Sequence, residues 1–157
     1  MRVAVISDTH QRAATPWLEA VYAEYLAPAD LLFHCGDHVG HALWAYLLQH
    51  PGFAAVAGNS DGYALAAELP PLLEHDILGR RVAVVHGWGP RPGLSGRIAA
   101  AFADRFDIVF FGHSHAAEDV RHGGMRLINP GALQPGGSLA LVDFTGDGGC
   151  GVKFVGV

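Results

Sequence analysis

Histidine is unusually frequent in this 157-residue sequence, where its 10 copies equal all lysines and arginines together. Imidazole is the commonest metal ligand in proteins and the usual proton carrier near neutral pH. Several histidines lie in short polar clusters that also contain carboxylates and an asparagine, and such mixed nitrogen and oxygen donors suit a borderline divalent metal. The candidate ligands in these clusters are Asp8, His10, Asp37, Asn59, His86, His113 and His115.

Two of the clusters contain a pair of donors separated by one residue. Asp8 and His10 form one pair, and His113 and His115 form the other. In extended backbone, residues two apart point to the same side, so each pair is expected to present its side chains together. The alternative for each pair is a set of ordinary turn or surface residues.

The remaining candidates also have ordinary explanations when each is taken alone. Asp37 could cap the helix that follows it, Asn59 could be a turn residue, and His86 could be a hydrogen-bonded core histidine. Taken together, these explanations require independent coincidences at five strand ends. One shared site is the simpler hypothesis.

Each polar cluster follows an apolar run typical of a buried strand. The predicted strands are 2–7, 30–35, 53–57, 72–78, 81–86, 107–111, 116–121, 125–128, 138–144 and 151–155, and the predicted helices are 15–27, 39–49 and 96–105. Thr15 and Ser95 are expected to cap the first and last of these helices. A hairpin turn is expected at Gly79-Arg80, and a loop containing Pro70 and Pro71 is expected before it.

This order predicts an α/β fold in a single domain over 1–157, with a two-sheet β-sandwich flanked by helices in four layers, α/β/β/α. Strands alternate with helices in the first part of the chain, and antiparallel strands follow later. Because α/β sheets bind ligands at the carboxyl ends of their strands, the polar clusters are expected to meet at one rim.

Composition excludes several classes of protein. The formal net charge is −5 and the 10 lysines and arginines are scattered, which argues against polymeric nucleic acid as a partner. No apolar run approaches the ~18 residues of a membrane span, and the first residues lack the features of a signal peptide. Cys35 and Cys150 do not form a disulfide framework. We therefore expect a cytoplasmic protein without a membrane partner.

The number of candidate ligands favours two metal ions over one. Seven donors exceed what a single ion with an open position needs. Asp37 is the natural bridge between two ions, because an anionic oxygen offsets their mutual repulsion. Two such ions clamp the attacking and leaving oxygens of a phosphoryl group and make hydroxide available near neutral pH.

The order of the motifs resembles a known family. DTH, GD, GNSD, VVHG and GHSH, followed by NPG at 129–131, resemble the blocks of calcineurin-like metallophosphoesterases. In its compact length and lack of insertions, the chain is most similar to the small bacterial and archaeal phosphodiesterase branch, the YfcE-like enzymes. The resemblance implies the four-layer metallophosphoesterase fold and hydrolysis of a small phosphate ester by a hydroxide bridging two divalent ions.

The resemblance also implies how the ligands are divided. It places one ion at Asp8, His10, Asp37 and His115, and the second at Asp37, Asn59, His86 and His113. Manganese, iron, nickel or zinc would each suit these donors. Relatives are often homo-oligomers, and nothing in the sequence defines an interface.

The third block departs from many relatives, which carry GNH where this chain has Gly58-Asn59-Ser60. With serine there, no imidazole is available at this position to protonate the leaving oxygen. We therefore expect a preference for diesters, or for esters with good leaving groups. A catalytically weak or inactive protein-binding module is the alternative, because the retromer subunit with this fold uses its surface to bind proteins. Every ligand position is filled here, which favours catalysis.

Several further residues have more than one interpretation. Asp61 is expected to orient a neighbour such as a ligand imidazole, and Trp88 and Arg91 lie in a loop that could touch substrate. His38 and His41 are expected at a solvated helix start or along the pocket. His34 is expected to be a hydrogen-bonded core residue, and the NPG motif an ordinary turn. His50, His75 and His122 are expected at the surface or in turns.

Overall fold

The strands follow the apolar runs of the sequence closely in the computed structural model, which describes residues 1–103 and 105–157. The elements, in chain order, are β1 (Arg2–Ile6), α1 (Pro16–Val21, continued by a π-helical segment, Tyr22–Leu26), β2 (Leu31–His34), α2 (His41–Leu47), β3 (Phe53–Ala55), α3 (Tyr63–Glu68), β4 (Leu72–Ile77), β5 (Arg80–Val85), α4 (Leu94–Ala101), β6 (Ile108–Phe110), β7 (Ala117–His122), β8 (Met125–Pro130), β9 (Ser138–Phe144) and β10 (Cys150–Gly156).

The strands form two sheets of five. The first has the order β10-β9-β1-β2-β3, in which β1, β2 and β3 run parallel. The second has the order β4-β5-β6-β8-β7, in which β5, β6 and β8 run parallel. All of the parallel strands except β3, which is at an edge, lie in the interior of their sheets. The five predicted polar clusters follow the carboxyl ends of β1, β2, β3, β5 and β6.

Alternate residues of the central strands face opposite sides of their sheet, as the two-residue period of a strand requires. In β1, Val3 and Val5 are buried between the sheets. Ile6 lies on the other face, in an apolar cluster that contains Leu18 of α1 and Leu43 of α2. A third cluster joins the outer face of the second sheet to α4. The predicted four-layer α/β/β/α arrangement is therefore confirmed.

The first helix begins as predicted. The Thr15 hydroxyl accepts a hydrogen bond from the Leu18 N–H at 3.3 Å, and Pro16 occupies the first turn. This is a favourable start, because an N–H group in the first turn has no partner within the helix, so the N–H that proline lacks is not missed. The backbone φ angle of proline also already suits a helix.

Three local predictions are wrong. The loop after β3 contains a short helix, α3, whose six residues are too few to show a helical period. The hairpin turn lies at Leu78-Gly79, one residue earlier than predicted, and both residues have positive φ (50° and 79°), as a two-residue turn of this hand requires. Ser95 does not cap α4, because its hydroxyl donates to the Glu118 carboxylate at 2.9 Å and α4 begins at Leu94.

The predicted helix over 96–105 ends at Ala101 in the structure. Residue 104 of that prediction lies outside the described residues. Within the part of the chain that is described, no helix has both the length and the hydropathy that a membrane span needs.

Candidate metal centre

The predicted ligands all lie at one rim of the two sheets, in loops that follow β1, β2, β3, β5 and β6. These loops bring together side chains that are up to 107 residues apart in sequence, as Asp8 and His115 are. This convergence agrees with the expectation from the order of the strands.

One group of donors surrounds Asp8. The Asp8 Oδ1 atom lies 3.2 Å from His115 Nε2, and His115 Nε2 lies 3.3 Å from His10 Nε2. The His10 ring also faces Asp37, with its Nε2 atom 3.6 Å from Asp37 Oδ2. Two ligands that are each about 2.0–2.2 Å from one ion lie about 3.0–3.5 Å apart. The spacing of this group therefore suits a single small cation.

A second group lies on the other side of Asp37. Asp37 Oδ1 is 3.4 Å from His86 Nε2, and His86 Nε2 is 3.0 Å from Asn59 Oδ1. His113 Nδ1 completes the group at 2.9 Å from Asn59 Oδ1 and 3.3 Å from His86 Nε2. Asp37 thus directs one oxygen toward each group, which is the position that a bridging carboxylate would occupy.

Two imidazoles of the second group direct their lone pairs into the site. His86 Nδ1 lies 2.7 Å from the Cys35 carbonyl, and His113 Nε2 lies 2.8 Å from the Gly89 carbonyl. A carbonyl can only accept, so these ring nitrogens carry the N–H. In the neutral rings, the opposite nitrogens then face the Asn59 oxygen without a proton between them. In many metal sites, a hydrogen bond from the second ring nitrogen fixes the orientation of a ligand histidine in this way.

This arrangement gathers hydrogen-bond acceptors that have too few donors. Of the residues that the structure describes, none donates a hydrogen bond to Asp8 Oδ1, although this atom is buried. An unpaired buried charge is costly. Extra protons on the imidazoles would relieve part of this shortage, and a cation bound in each group would relieve it in both. The donor set and its spacing therefore fit divalent metal ions.

The electrostatics of Asp37 and His86 are linked. Burial by itself raises the pKa of Asp37, but hydrogen bonds from the doubly protonated His86 ring and from Ser60 outweigh it and hold that pKa well below its usual range. Burial lowers the pKa of His86, and the hydrogen bond and charge of Asp37 more than reverse this, so the net shift is upward. The carboxylate is therefore anionic at every physiological pH.

The backbone explanation for the paired donors is wrong. Asp8 and His10 are not extended but have φ values of 54° and 48°, and His113 and His115 have 68° and 64°. This left-handed conformation is unfavourable for residues other than glycine by about 1–2 kcal/mol each. Asp37, at 60°, shares it. The side chains of these five candidate ligands meet because the chain turns sharply at each of them, and this strain is concentrated at the site.

Several residues that support the ligands were not predicted. The Ser7 hydroxyl donates to Asp8 Oδ2 at 2.6 Å, and the His113 backbone N–H donates to the same oxygen at 3.0 Å. Asn129 of the NPG motif is buried, and its amide donates to the Gly112 carbonyl at 2.8 Å and to the Ser114 hydroxyl at 3.0 Å. The NPG segment is thus more than an ordinary turn, because it holds the loop that carries His113 and His115.

Asp61 orients its neighbours, but none of them is a predicted ligand imidazole. Its carboxylate accepts hydrogen bonds from the Val39 and Gly58 backbone N–H groups, both at 2.7 Å. It also lies 3.4 Å from the Nδ1 atom of His38. Asp61 therefore ties the loop after β2 to the loop after β3.

The other histidines separate into buried and exposed groups. His38 is fully buried and stacks on His34, with ring centroids 3.5 Å apart, so neither interpretation offered for His38 was right. His34 is a hydrogen-bonded core residue, as predicted. His50 lies in the turn after α2, one of the two positions predicted for it, but it is buried and contacts the Ala29 carbonyl at 3.0 Å. His41 is exposed, 3.5 Å from Glu68.

Comparison with known proteins agrees with this geometry. Residues 1–147 match the calcineurin-like phosphoesterase superfamily domain, and the chain belongs to that family. It is 30% identical over 139 residues to the probable metallophosphoesterase YsnB of Bacillus subtilis, covering 85% of this chain and 76% of that protein.

Two solved structures illustrate how widely the fold is shared. The Thermotoga maritima protein TM1076 has a TM-score of 0.73 and 28% identity, covering 99% of both chains. Vps29 of Entamoeba histolytica, solved in complex with Zn²⁺, also has a TM-score of 0.73, with 23% identity and 99% of both chains covered. The second likeness concerns the fold alone.

Proposed function

We propose that this chain is a metal-dependent phosphodiesterase that hydrolyses small phosphodiesters at the rim described above. The observation that carries the proposal is the pair of donor groups that share Asp37, since its two oxygens lie 3.6 Å from His10 and 3.4 Å from His86. Divalent ions bound there would polarise the phosphoryl oxygens and make hydroxide available near neutral pH.

The protein's own residues prepare this site before substrate arrives. Asp37 stays ionised, and the backbone carbonyls of Cys35 and Gly89 keep His86 and His113 in the orientation that offers a lone pair to a cation. The Asp8 carboxylate is fixed by Ser7 and needs no rearrangement. Ligands that are positioned in advance raise metal affinity, because little side-chain freedom is lost on binding.

The contacts of Ser60 favour a diester over an alkyl monoester as the substrate. Its hydroxyl donates to Asp37 at 2.9 Å, so it is engaged with the carboxylate. An alkoxide that leaves without a proton is a poor leaving group, whereas an aryloxide leaves readily. We expect rapid hydrolysis of bis-4-nitrophenyl phosphate and very slow hydrolysis of an alkyl monoester. Comparable rates on the two substrates would contradict the proposed specificity.

The metal requirement is tested by Asp37→Ala. The wild-type protein should bind up to two ions of manganese or another transition metal per chain, measured by elemental analysis after dialysis. The variant should lose both ions and the activity, whereas Glu19→Ala, on the exposed surface of α1, should retain both. Full activity of the wild type after exhaustive chelation would refute the metal mechanism.

A protein-binding scaffold is the second candidate, because Vps29 has the same fold. The discriminating feature is the donor set, in which every predicted ligand position carries a nitrogen or oxygen donor. A metal-loaded protein that hydrolyses no phosphodiester in a broad substrate screen would favour the scaffold.

A further inference from the structure

The loop over residues 87–92 joins β5 to α4 and is fixed by one arginine. The Arg97 guanidinium donates to the Trp88 carbonyl through Nε at 3.2 Å and through Nη2 at 3.0 Å. It also donates to the carbonyls of Pro90 and Pro92. Three backbone carbonyls of one irregular segment are thus held by a single side chain of α4, so the loop keeps a defined position beside the rim.

The fixed loop reaches both donor groups of the candidate metal centre. Its Gly89 carbonyl lies 2.8 Å from His113 Nε2. Further along, Arg91 Nη2 lies 3.4 Å from His115 Nε2. Arg91 is exposed, so its charged group borders the site and remains open to solvent.

The position of Arg91 has a consequence once cations occupy the donor groups. A guanidinium cannot lose its charge at physiological pH, and like charges a few ångströms apart repel each other strongly. An anion lying between the guanidinium and the ions removes that repulsion. A phosphoryl oxygen meets this requirement, because arginine binds phosphate oxygens with charge-assisted hydrogen bonds.

The same loop also forms one wall of an apolar cavity of about 410 Å³. The cavity borders the site directly, because His86 and Gly87 lie on its boundary. Its other lining residues are Ala57, Pro71, Leu72, Val85, Trp88 and Phe102. Pockets of this size and composition suit small apolar or aromatic groups.

Trp88 is well placed to contact such a group. Trp88 is 43% exposed, so much of a large aromatic surface is left uncovered. One edge packs on Phe102, with ring centroids 6.2 Å apart and a nearly perpendicular arrangement. An aromatic ring entering the cavity would cover this exposed surface.

We propose that loop 87–92 selects the substrate, with Arg91 binding a phosphoryl oxygen and the cavity beside Trp88 receiving an aromatic ester group. The inference rests on the proposed function and deepens it, because it names the substrate class as phosphodiesters with an aromatic substituent. Arg97 is the positioning residue that keeps both parts of the loop in place.

Binding of two non-hydrolysable phosphonates tests the role of Arg91 and the role of the cavity separately. Manganese-loaded wild-type protein should bind phenylphosphonate roughly tenfold more tightly than methylphosphonate, measured by calorimetry. Trp88→Ala should abolish this preference, and Trp88→Phe should retain much of it because the ring is kept. Equal affinity of the wild type for the two phosphonates would overturn the role of the cavity.

Arg91→Ala should weaken the binding of both phosphonates by about tenfold or more. The ratio of the two affinities and the amount of bound manganese should stay unchanged. Lys153→Ala removes the same charge from exposed edge strand β10 and should change neither affinity. Unaltered affinity in Arg91→Ala would overturn the role of Arg91, and a wild type that binds neither phosphonate would overturn the whole inference. If these binding results hold but no ester is hydrolysed, the proposed activity fails while the binding sites stand.

Discussion

Ser60 donates to both carboxylate oxygens of Asp37. Its backbone N–H reaches Oδ1 at 2.7 Å, and its hydroxyl reaches Oδ2 at 2.9 Å. The two bonds fix the plane of the carboxylate, so that one oxygen faces His10 and the other faces His86. A serine in the third motif thus acts on the residue proposed to join the two ions.

The first prediction concerns the hydroxyl of Ser60. Ser60→Ala removes one of the two hydrogen bonds to Asp37 and keeps the backbone bond, so the fold should be unaffected. Loss of such a supporting contact lowers metal affinity by about 10- to 100-fold in characterised sites. Competition with a chelator of known affinity measures the change. Ser60→Thr keeps the hydroxyl and should stay near the wild type, and an equally large loss in both variants would contradict this role of the hydroxyl.

The second prediction concerns Gly112, which precedes His113. A Cβ atom at this position would lie 1.9 Å from the Ser7 hydroxyl and 2.8 Å from Asp8 Oδ2. Gly112→Ala should therefore displace Ser7, disturb Asp8 and weaken metal binding by at least about tenfold.

Gly124 provides the matched control for Gly112, because a Cβ there meets no atom of the described residues within 4 Å. Gly124→Ala should retain the metal content and the melting temperature of the wild type. Elemental analysis and thermal unfolding of the two variants measure the difference. Full metal occupancy in Gly112→Ala would show that the close approach of this loop to Asp8 is not required.

The convergence of the candidate donors at one rim could be predicted because it depends on local patterns. Each ligand follows an apolar strand, and the two-layer sandwich with its outer helices follows from the order of those strands and helices. The sequence favours Asp37 as the shared ligand, because an anionic oxygen would offset the repulsion between two ions. None of these steps needs a distance.

The support of the ligands could not be predicted because it depends on contacts between distant segments. Asn129 reaches Gly112 across 17 residues of sequence, and Ser60 reaches Asp37 across 23 residues. The burial of His50 has the same origin, because its ring reaches Ala29. The left-handed backbone at the ligands also escaped prediction, since glycine is the residue that normally marks this conformation.

The third prediction concerns Asn129. Asn129→Ala removes the donor to the buried Gly112 carbonyl and to Ser114, and an unsatisfied buried acceptor costs about 1–3 kcal/mol. The free energy of unfolding in urea should fall by about that amount. Ser114→Ala removes only one of these contacts and should cost less. Equal stability of Asn129→Ala and wild type would contradict the assigned support of the loop.

The last prediction concerns Arg126, which ties three strands together. It donates to both oxygens of Asp119 on β7, at 2.8 and 2.7 Å, and to the Cys150 carbonyl of β10 in the other sheet. The hydrogen bond from Arg126 holds the pKa of Asp119 below its usual range. Because the folded state lowers this pKa, the stabilisation is present above the unfolded value of 3.8 and is lost as pH falls through the folded value.

Asp119→Asn should therefore lower the free energy of unfolding at pH 7 by about 1 kcal/mol, and the difference from wild type should shrink toward pH 3. The Arg2–Asp143 pair has the same two-bond geometry but is half exposed on both sides, so Asp143→Asn should have a smaller effect at pH 7. Urea unfolding of the three proteins at both pH values measures this. Equal losses in the two variants would show that the partial burial of Arg126, at 14% exposure against 50% for Arg2, adds nothing to the strength of the ion pair.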